Sequence, residues 1–455
     1  METTTAYELL KLKKYPELRE ELATMEPADI AALLECAEIE DIPRFYRILP
    51  KELAADTFAE MDSDMQELLI KAFSDSELSE ILQEMFLDDT VDMIEEMPAV
   101  LVKRILRVAD PQRRQAINEL LHYPGDSAGS IMTIEYVSLR KSMTVAQAFE
   151  RIRKIALNSE TIYNCYVTDE YRRLLGIVTA KDLMLSSPDQ VIGDIMDEDV
   201  IYVSTHDDRE EVANQIDKYG FLAMPVVDAE KRLVGIVTVD DAIDVIQEAH
   251  DEDIAIMSAV TPSEETYFKT SVFAHAKNRI LWLIILLLAA TVTGMIITRY
   301  ESAMSAMLVS FIPMLMNTGG NCGSQSSAMI IRGLAVEEIR LRDFFKVLTK
   351  ELRIASLVGI ALMVVNSIQI LVMYHLVYKN TGVYGNTNIY LVCVVVSLSL
   401  FGAVLLAKVL GCCLPMLAKK LGLDPAIMAS PFITTIVDAC TVLLYFNIAI
   451  RILGI

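Results

Sequence analysis

Reactive cysteine chemistry is missing from this chain of 455 residues. Its seven cysteines include no CxxC pair, and Cys322, Cys393, Cys412, Cys413 and Cys440 lie in apolar segments. Neither a disulfide framework nor a zinc site is therefore indicated, and the cysteines read as reduced packing residues. The five histidines and the scattered acids form no nucleophile-base or metal-ligand set at a recognisable spacing, which argues against an enzyme. A GxxxxGK(S/T) phosphate loop, the mark of an ATPase-driven pump, does not occur. Because the first twenty residues lack an apolar core and a small-residue cleavage site, no signal peptide is expected, and the soluble half should stay in the cytosol.

Basic residues are scarce in only one half. Residues 1–270 hold 56 acidic and 26 basic side chains, a net of −30, whereas residues 271–455 hold seven acidic and fourteen basic ones, a net of +7. A phosphate backbone needs Lys/Arg neutralisation that the acidic half opposes, so nucleic acid is excluded as a partner. An acidic surface suits cations, but it also serves plain solubility, and charge alone does not choose between the two.

What the second half has in abundance is long apolar segments. Ile280–Thr298 carries no charge over nineteen residues, enough to cross a hydrocarbon core of roughly 30 Å as a helix. Similar segments follow at about Ala303–Ile331, Ile354–Tyr378, Ile389–Leu417 and Pro425–Ile450, giving five expected spans. Lys277 and Arg279, the six Lys/Arg from Arg332 to Arg353, and Lys419 with Lys420 mark the cytosolic loops, while the alternate loops hold only Arg299 or Lys379. That pattern places the N-terminal half in the cytosol and the C-terminus outside, in a multi-pass protein of the cell membrane.

Polar groups within the spans point to function, because a charge in hydrocarbon needs a partner or a wet cavity. Asp438 lies deep in the fifth span, with Thr434, Thr435 and Thr441 on or beside its helical face. Such oxygen-rich surroundings suit a hard cation, and Mg²⁺ in particular keeps much of its water and takes few carboxylates. One Asp per chain then implies a dimeric pore. Pairing with Lys408, or protonation, is the structural alternative for Asp438. In the second span, Asn317–Gln325 is rich in Gly and polar residues and is expected to loosen or break a helix, freeing carbonyls to line a pore. Close helix packing through small residues is the alternative there. Asn366, Gln369 and His375 read as interhelical hydrogen-bonding groups.

The soluble half contains a repeat with a period near sixty: LLGIVTAKDL from Leu174 recurs as LVGIVTVDDA from Leu233. Each copy is a strand running into a helix start, after a preceding strand at Tyr163–Val167 or Met224–Val227. Thr179 with Asp182 and Thr238 with Asp241 read as capping boxes. The pattern resembles a tandem CBS module, in which such Thr/Asp pairs can hold the ribose and phosphates of an adenine nucleotide such as ATP, although capping alone accounts for them.

Upstream, residues 5–123 show helical periodicity in blocks of ten to twelve, punctuated by Pro27, Pro43, Pro50, Pro98 and Pro111, with no strand-like alternation; an α-helical solenoid is expected. Asp88 and Asp92 form an i,i+4 like-charge pair that a divalent cation would relieve. A second acidic run, Asp240, Asp241, Asp244, Glu248, Asp251, Glu252 and Asp253, leads from the repeat toward the first span. A solvated acidic face is the alternative for both.

Taken in order, solenoid, CBS pair, acidic connecting helix and five-span domain resemble the MgtE magnesium transporters over nearly the whole chain. The pieces that carry the resemblance are Tyr123–Met132, the GGNCGSQ stretch Gly319–Gln325, Asp424–Ala426 and the TTIVD run ending at Asp438. The resemblance implies a homodimer that closes when cytosolic Mg²⁺ rises. It implies that Asp438 is the selectivity-site carboxylate and that Gly320 and Asn321 line the same pore. It also implies sensor roles for Asp88 and Asp92, and for Asp228, Asp244 and Asp251. The expected fold is multidomain: an α solenoid (1–130) and an α/β CBS pair (131–250) in the cytosol, a connecting helix (251–275) and an all-α five-helix transmembrane domain (276–455). Mg²⁺ is the expected substrate and regulator. Two rivals stay open: a membrane-anchored nucleotide or ion sensor that does not transport, and a secondary transporter of other divalent cations such as Co²⁺, Ni²⁺ or Mn²⁺.

Overall fold

The computed structural model describes residues 6, 8–9, 12, 14–156, 159–263, 267, 270–301, 306–336, 338–378 and 388–454. Lys379 and the expected start of the second span at Ala303 lie outside the described residues. The chain divides into two compact units, Met1–Gln247 and Glu248–Ile455.

The first unit begins with short helices: α1 (Tyr15–Leu22), α2 (Pro27–Glu35), α3 (Ile42–Tyr46), α4 (Lys51–Ala59), α5 (Ser63–Ala72), α6 (Asp75–Glu84), α7 (Leu87–Glu96), α8 (Ala99–Val108) and α9 (Pro111–Leu120). Their shortness is written locally. Asp62, Ser74 and Asp110 accept hydrogen bonds from the first-turn amides of α5, α6 and α9, and proline sits in the first turn of α2, α3 and α9. Each helix buries a stripe into a shared core that includes Phe45, Phe58, Leu69, Leu78, Val91 and Ile105. Arg104 of α8 closes the C-terminal end of α5, donating to the carbonyls of Ile70 and Phe73 and to Asp75. The helical solenoid expected from periodicity is thus present.

Two copies of one α/β unit follow. The first holds β1 (Tyr136–Arg140), α10 (Val145–Ile155), β2 (Thr161–Thr168), β3 (Leu174–Thr179) and α11 (Ala180–Leu185), with α12 (Ile192–Ile195) after it. The second holds β4 (Val203–Ser204), α13 (Arg209–Tyr219), β5 (Ala223–Val227), β6 (Leu233–Thr238) and α14 (Val239–Met257). In both sheets the first strand runs parallel to the second and the second antiparallel to the third. The register repeats as well: Val167 faces Gly176 and Val226 faces Gly235. Each of those glycines lets another segment of the backbone in close, since a Cβ would meet the Asp197 carbonyl at 2.7 Å or the Thr133 carbonyl at 2.8 Å. The Tyr123–Met132 motif ties the solenoid's end to the second copy. Its Ala128 and Gly129 amides donate to the Asp207 and Thr205 carbonyls, and a Cβ on Gly129 would strike the Tyr123 ring.

The second unit is helical: α15 (Val272–Glu301), α16 (Ala306–Val309), α17 (Ile312–Ala335), α18 (Phe344–Met373), α19 (Ile389–Lys420) and α20 (Ser430–Leu453). Among the described residues, α15, α18, α19 and α20 are long and apolar enough to cross a membrane. Helix α17 is long enough at 24 residues, but its Asn, Gly, Ser and Gln residues keep it below that apolar standard. Helices α19 and α20 supply most of one buried cluster, which includes Val392, Val396, Leu400, Val442, Tyr445 and Phe446.

One sequence expectation is overturned. The glycine-rich stretch does not break α17, which runs unbroken from Ile312 to Ala335. The reason is packing: Cβ atoms on Gly319, Gly320 and Gly323 would lie 2.9, 3.1 and 3.1 Å from Thr441, Thr434 and Val437 of α20. Dispersion contacts at this close approach offset the roughly 1 kcal/mol helix penalty of each glycine.

Candidate functional site

The membrane unit concentrates its polar atoms where α17 meets α20. Asp438 is half-buried there, and a Cβ built on Gly320 would lie 3.6 Å from its Oδ1. The structure therefore brings Gly320 and Asp438 together, whereas Asn321 is exposed one position further along α17. Around the carboxylate, the Thr434 and Thr435 hydroxyls donate to the Pro431 carbonyl at 3.0 and 2.9 Å and keep lone pairs free to accept or coordinate. Thr441 Oγ1 is buried without a hydrogen-bond partner. Oxygen atoms without nearby cations are what a hydrated divalent cation requires.

Lys408 does not pair with Asp438, so that alternative reading is corrected. Its Nζ lies 4.0 Å from Glu351 Oε2, and both side chains are about nine-tenths buried. The Ser326 hydroxyl donates to the same Glu351 oxygen, tying α17, α18 and α19 together. Among the described residues no basic side chain pairs with Asp438, and its charge is left for a ligand. Sequence reasoning left Glu351 in a cytosolic loop. The signal was available, because a lysine inside the fourth apolar segment demands a buried counter-charge. Asn366 Nδ2 does donate across helices, to Ser397 Oγ at 3.2 Å.

The first unit holds the second polar site. Helix α7 presents Asp88, Asp89 and Asp92 to the α/β repeat, where Glu135, Glu160, Asp240 and Asp241 stand close enough to perturb them electrostatically. Asp88 is 6% exposed. Burial, followed by repulsion from Asp89 and Glu135, drives its carboxyl upward. Burial and the charges of Asp241 and Asp240 push Asp89 up to about 7, and burial with Asp88 and Asp240 pushes Glu160 up to about 9. Asp92 reaches solvent at its tip but is also raised, by desolvation and then by Asp241 and Asp88. One carboxylate oxygen of Glu160 is buried without a partner. Arg113 is the cation most engaged here: it donates to the Phe86 carbonyl and to Thr90 Oγ1, and burial lowers its own pKa. Glu135 also accepts the Leu87 amide at 2.9 Å, capping α7 from 48 residues away. No local sequence signal marks that contact or the approach of Glu160.

The remaining expected residues divide. Asp244 is exposed on α14 and raised by burial and by Asp240, which places it beside the cleft. Asp228 is not in the cleft; it closes the β5–β6 turn by accepting the Glu230 and Arg232 amides. Asp251 is exposed in the second unit, two residues from Asp253. Burial and the charge of Asp424 raise the Asp253 carboxyl. Among the described residues no three His, Cys, Asp or Glu side chains already stand in metal-ligating geometry.

Both Thr/Asp pairs are hydrogen-bonded, with the hydroxyls of Thr179 and Thr238 donating to Asp182 and Asp241 at 2.5 Å. They differ in surroundings. Asp241 belongs to the acidic cleft and its carboxyl is raised by burial and by Asp88, so a bare triphosphate at that pair would meet like charge. Thr179 and Asp182 carry no such crowding.

Comparison with known proteins agrees with this layout. The profile described as a divalent cation transporter matches residues 312–448, that of the MgtE intracellular N domain matches 25–126, and CBS domains match 128–188 and 192–248. The magnesium transporter MgtE of Thermus thermophilus is 37% identical over 95% of this chain and 94% of its own length. That of Bacillus subtilis is 31% identical over 97% and 95%. Among solved structures, the cytosolic domain of the Mg²⁺ channel MgtE in complex with ATP superposes with a TM-score of 0.51 at 38% identity, covering 53% of this chain and 99% of that one. The soluble part of a magnesium transporter superposes with a TM-score of 0.52 at 33% identity, covering 55% and 98%.

Proposed function

The chain belongs to the MgtE family of magnesium transporters, and on that premise we propose that it conducts Mg²⁺ through a homodimeric, Mg²⁺-gated pore. The observation that carries the proposal is Asp438: a half-buried carboxylate without an ion-pair partner, beside Gly320, in a helix contact rich in hydroxyls. A single Asp per protomer is too little to strip a strongly hydrated ion. Two, one from each protomer, supply the charge of one Mg²⁺ while leaving its waters in place. Glycine at 320 leaves the position beside Asp438 Oδ1 free of a side chain.

Five spans cross the cell membrane in this reading, α17 being the polar one, with the N-terminal half cytosolic and the C-terminus outside. The parts are a solenoid (1–130), a CBS pair (131–250), a connecting segment (251–275) and the pore domain (276–455); the connector is not the single helix expected, since α14 ends at Met257 and α15 starts at Val272. The inward-negative potential suffices to drive a divalent cation through such a pore. Cytosolic Mg²⁺ closes it by neutralising the carboxylates of Asp88, Asp89, Asp92, Asp240 and Asp241, which otherwise repel across the cleft. Asp244 and, further along α14, Asp251 add to the acidic charge that bound Mg²⁺ neutralises. The transported ion thereby limits its own entry through linkage between two states of unequal affinity. ATP, where it binds, is best accommodated at Thr179 and Asp182.

The experiment is Mg²⁺ influx into proteoliposomes under an inward-negative potential, with internal Mg²⁺ varied. Influx that falls as internal Mg²⁺ rises and that vanishes in Asp438→Ala supports pore and gate together. Wild-type protein that passes no Mg²⁺, or a variant that passes as much as wild type, sinks the pore and leaves an anchored sensor.

A further inference from the structure

The N-terminal end of α18 carries a groove of about 620 Å³ that none of the above uses. Its walls are Lys346, Lys350 and Arg353 together with Phe345, Ile354 and Leu357. The three cations recur at spacings of four and three, so they share one helix face, where like charges repel unless an anion lies between them. Asp343 accepts from Lys346 at 3.2 Å. No acid among the described residues pairs with Lys350 or Arg353. The apolar members are open: Phe345 is 77% and Leu357 73% exposed. Leu357 stands one turn along α18 from Arg353, toward the middle of the apolar helix.

We propose that this groove seats an anionic phospholipid of the inner leaflet, its phosphate between Lys346, Lys350 and Arg353 and one acyl chain along Ile354 and Leu357. The proposal rests on α18 crossing the membrane with this end at the cytosolic surface. Two features favour a lipid over a protein partner. The charge is of one sign and complementary to an anionic headgroup, and Ile354 and Leu357 continue from the basic residues toward the membrane interior, as the acyl chains of a lipid do. Inorganic phosphate would use the cations but not Phe345 or Leu357.

The test uses the full chain in nanodiscs of phosphatidylcholine with or without phosphatidylglycerol, reading retained lipid by native mass spectrometry. Wild type is expected to retain phosphatidylglycerol over phosphatidylcholine. That preference should fall about fivefold for each charge removed in Lys350→Gln and Arg353→Gln. It should be kept in Lys350→Arg and in Lys420→Gln, which removes an exposed cytosolic charge outside the groove. Equal loss in Lys420→Gln reduces the effect to general charge and overturns the site. So does undiminished retention in the groove variants, displacement of lipid by inorganic phosphate alone, or efficient disulfide trapping of Lys350→Cys between two copies of the chain. Lipid retention is read without transport, so an inactive protein that still selects the lipid disproves the pore and leaves this site standing.

Discussion

At the scale of single residues the membrane unit holds two carboxylates with opposite duties. Asp438 is unpaired and faces a glycine, while Glu351 is locked to Lys408 and Ser326. Asp438→Asn keeps the shape and removes the charge, so Mg²⁺ flux in proteoliposomes should fall by ~10-fold or more, the equivalent of one charge-assisted contact of about 1.5–3 kcal/mol. Thermal stability should hardly change. Gly320→Val should abolish flux by a different route, because a Cβ already meets Thr434 at 3.1 Å and the added methyls would project over Asp438. Glu351→Gln reverses the pattern: it strands a buried Lys408 and should destabilise the detergent-solubilised protein by about 3–5 kcal/mol. Glu351→Gln with Lys408→Met should recover much of that loss in a thermal melt, since removing both charges is far cheaper than removing one.

At the scale of elements the acidic cleft is a property of α7 and α14 together. Carboxyls with raised folded-state pKa hold protons that the unfolded chain releases, so their effect is absent below about pH 4 and grows as pH climbs toward about 7, the value for Asp89. Stability of the metal-free first unit should therefore fall as pH rises from 5 to 8. Saturating Mg²⁺ favours the ionised form and should restore it, by ~5 °C in melting temperature at pH 8 and much less at pH 5.5. A melting temperature that rises with pH in chelator would refute the cleft as a strained acidic site. How much of this was legible also varies by element. Short helices with Asp, Ser and Pro at their starts, and the repeated LxGIVT strands, are local patterns and could be read directly. Asp88 and Asp92 announced themselves by their spacing. Glu135 and Glu160 did not, because only tertiary folding brings them to α7. The glycines of α17 misled for the same reason: helix propensity speaks for an isolated segment, and here the packing of α17 against α20 decides.

Across the whole molecule the charge is divided, −30 in the first 270 residues and +7 in the rest. In the proposed gate, the crowding of like charge within the acidic half makes repulsion, rather than any single ligand, the opening force. If it is, neutralising the cleft should mimic bound cation. The triple variant Asp88→Asn, Asp89→Asn, Asp241→Asn removes three carboxylates from a cleft where each ionised pair repels by about 1–2 kcal/mol, the order of magnitude expected near a protein surface. About 3 kcal/mol shifts a two-state equilibrium roughly 100-fold. The variant's flux at low internal Mg²⁺ should therefore drop toward the level wild type shows at high Mg²⁺, and the response to Mg²⁺ should flatten. Should the variant instead stay open at every internal Mg²⁺ concentration, the carboxylates act as ligands that pull the cleft shut, and repulsion among them is not what opens the pore.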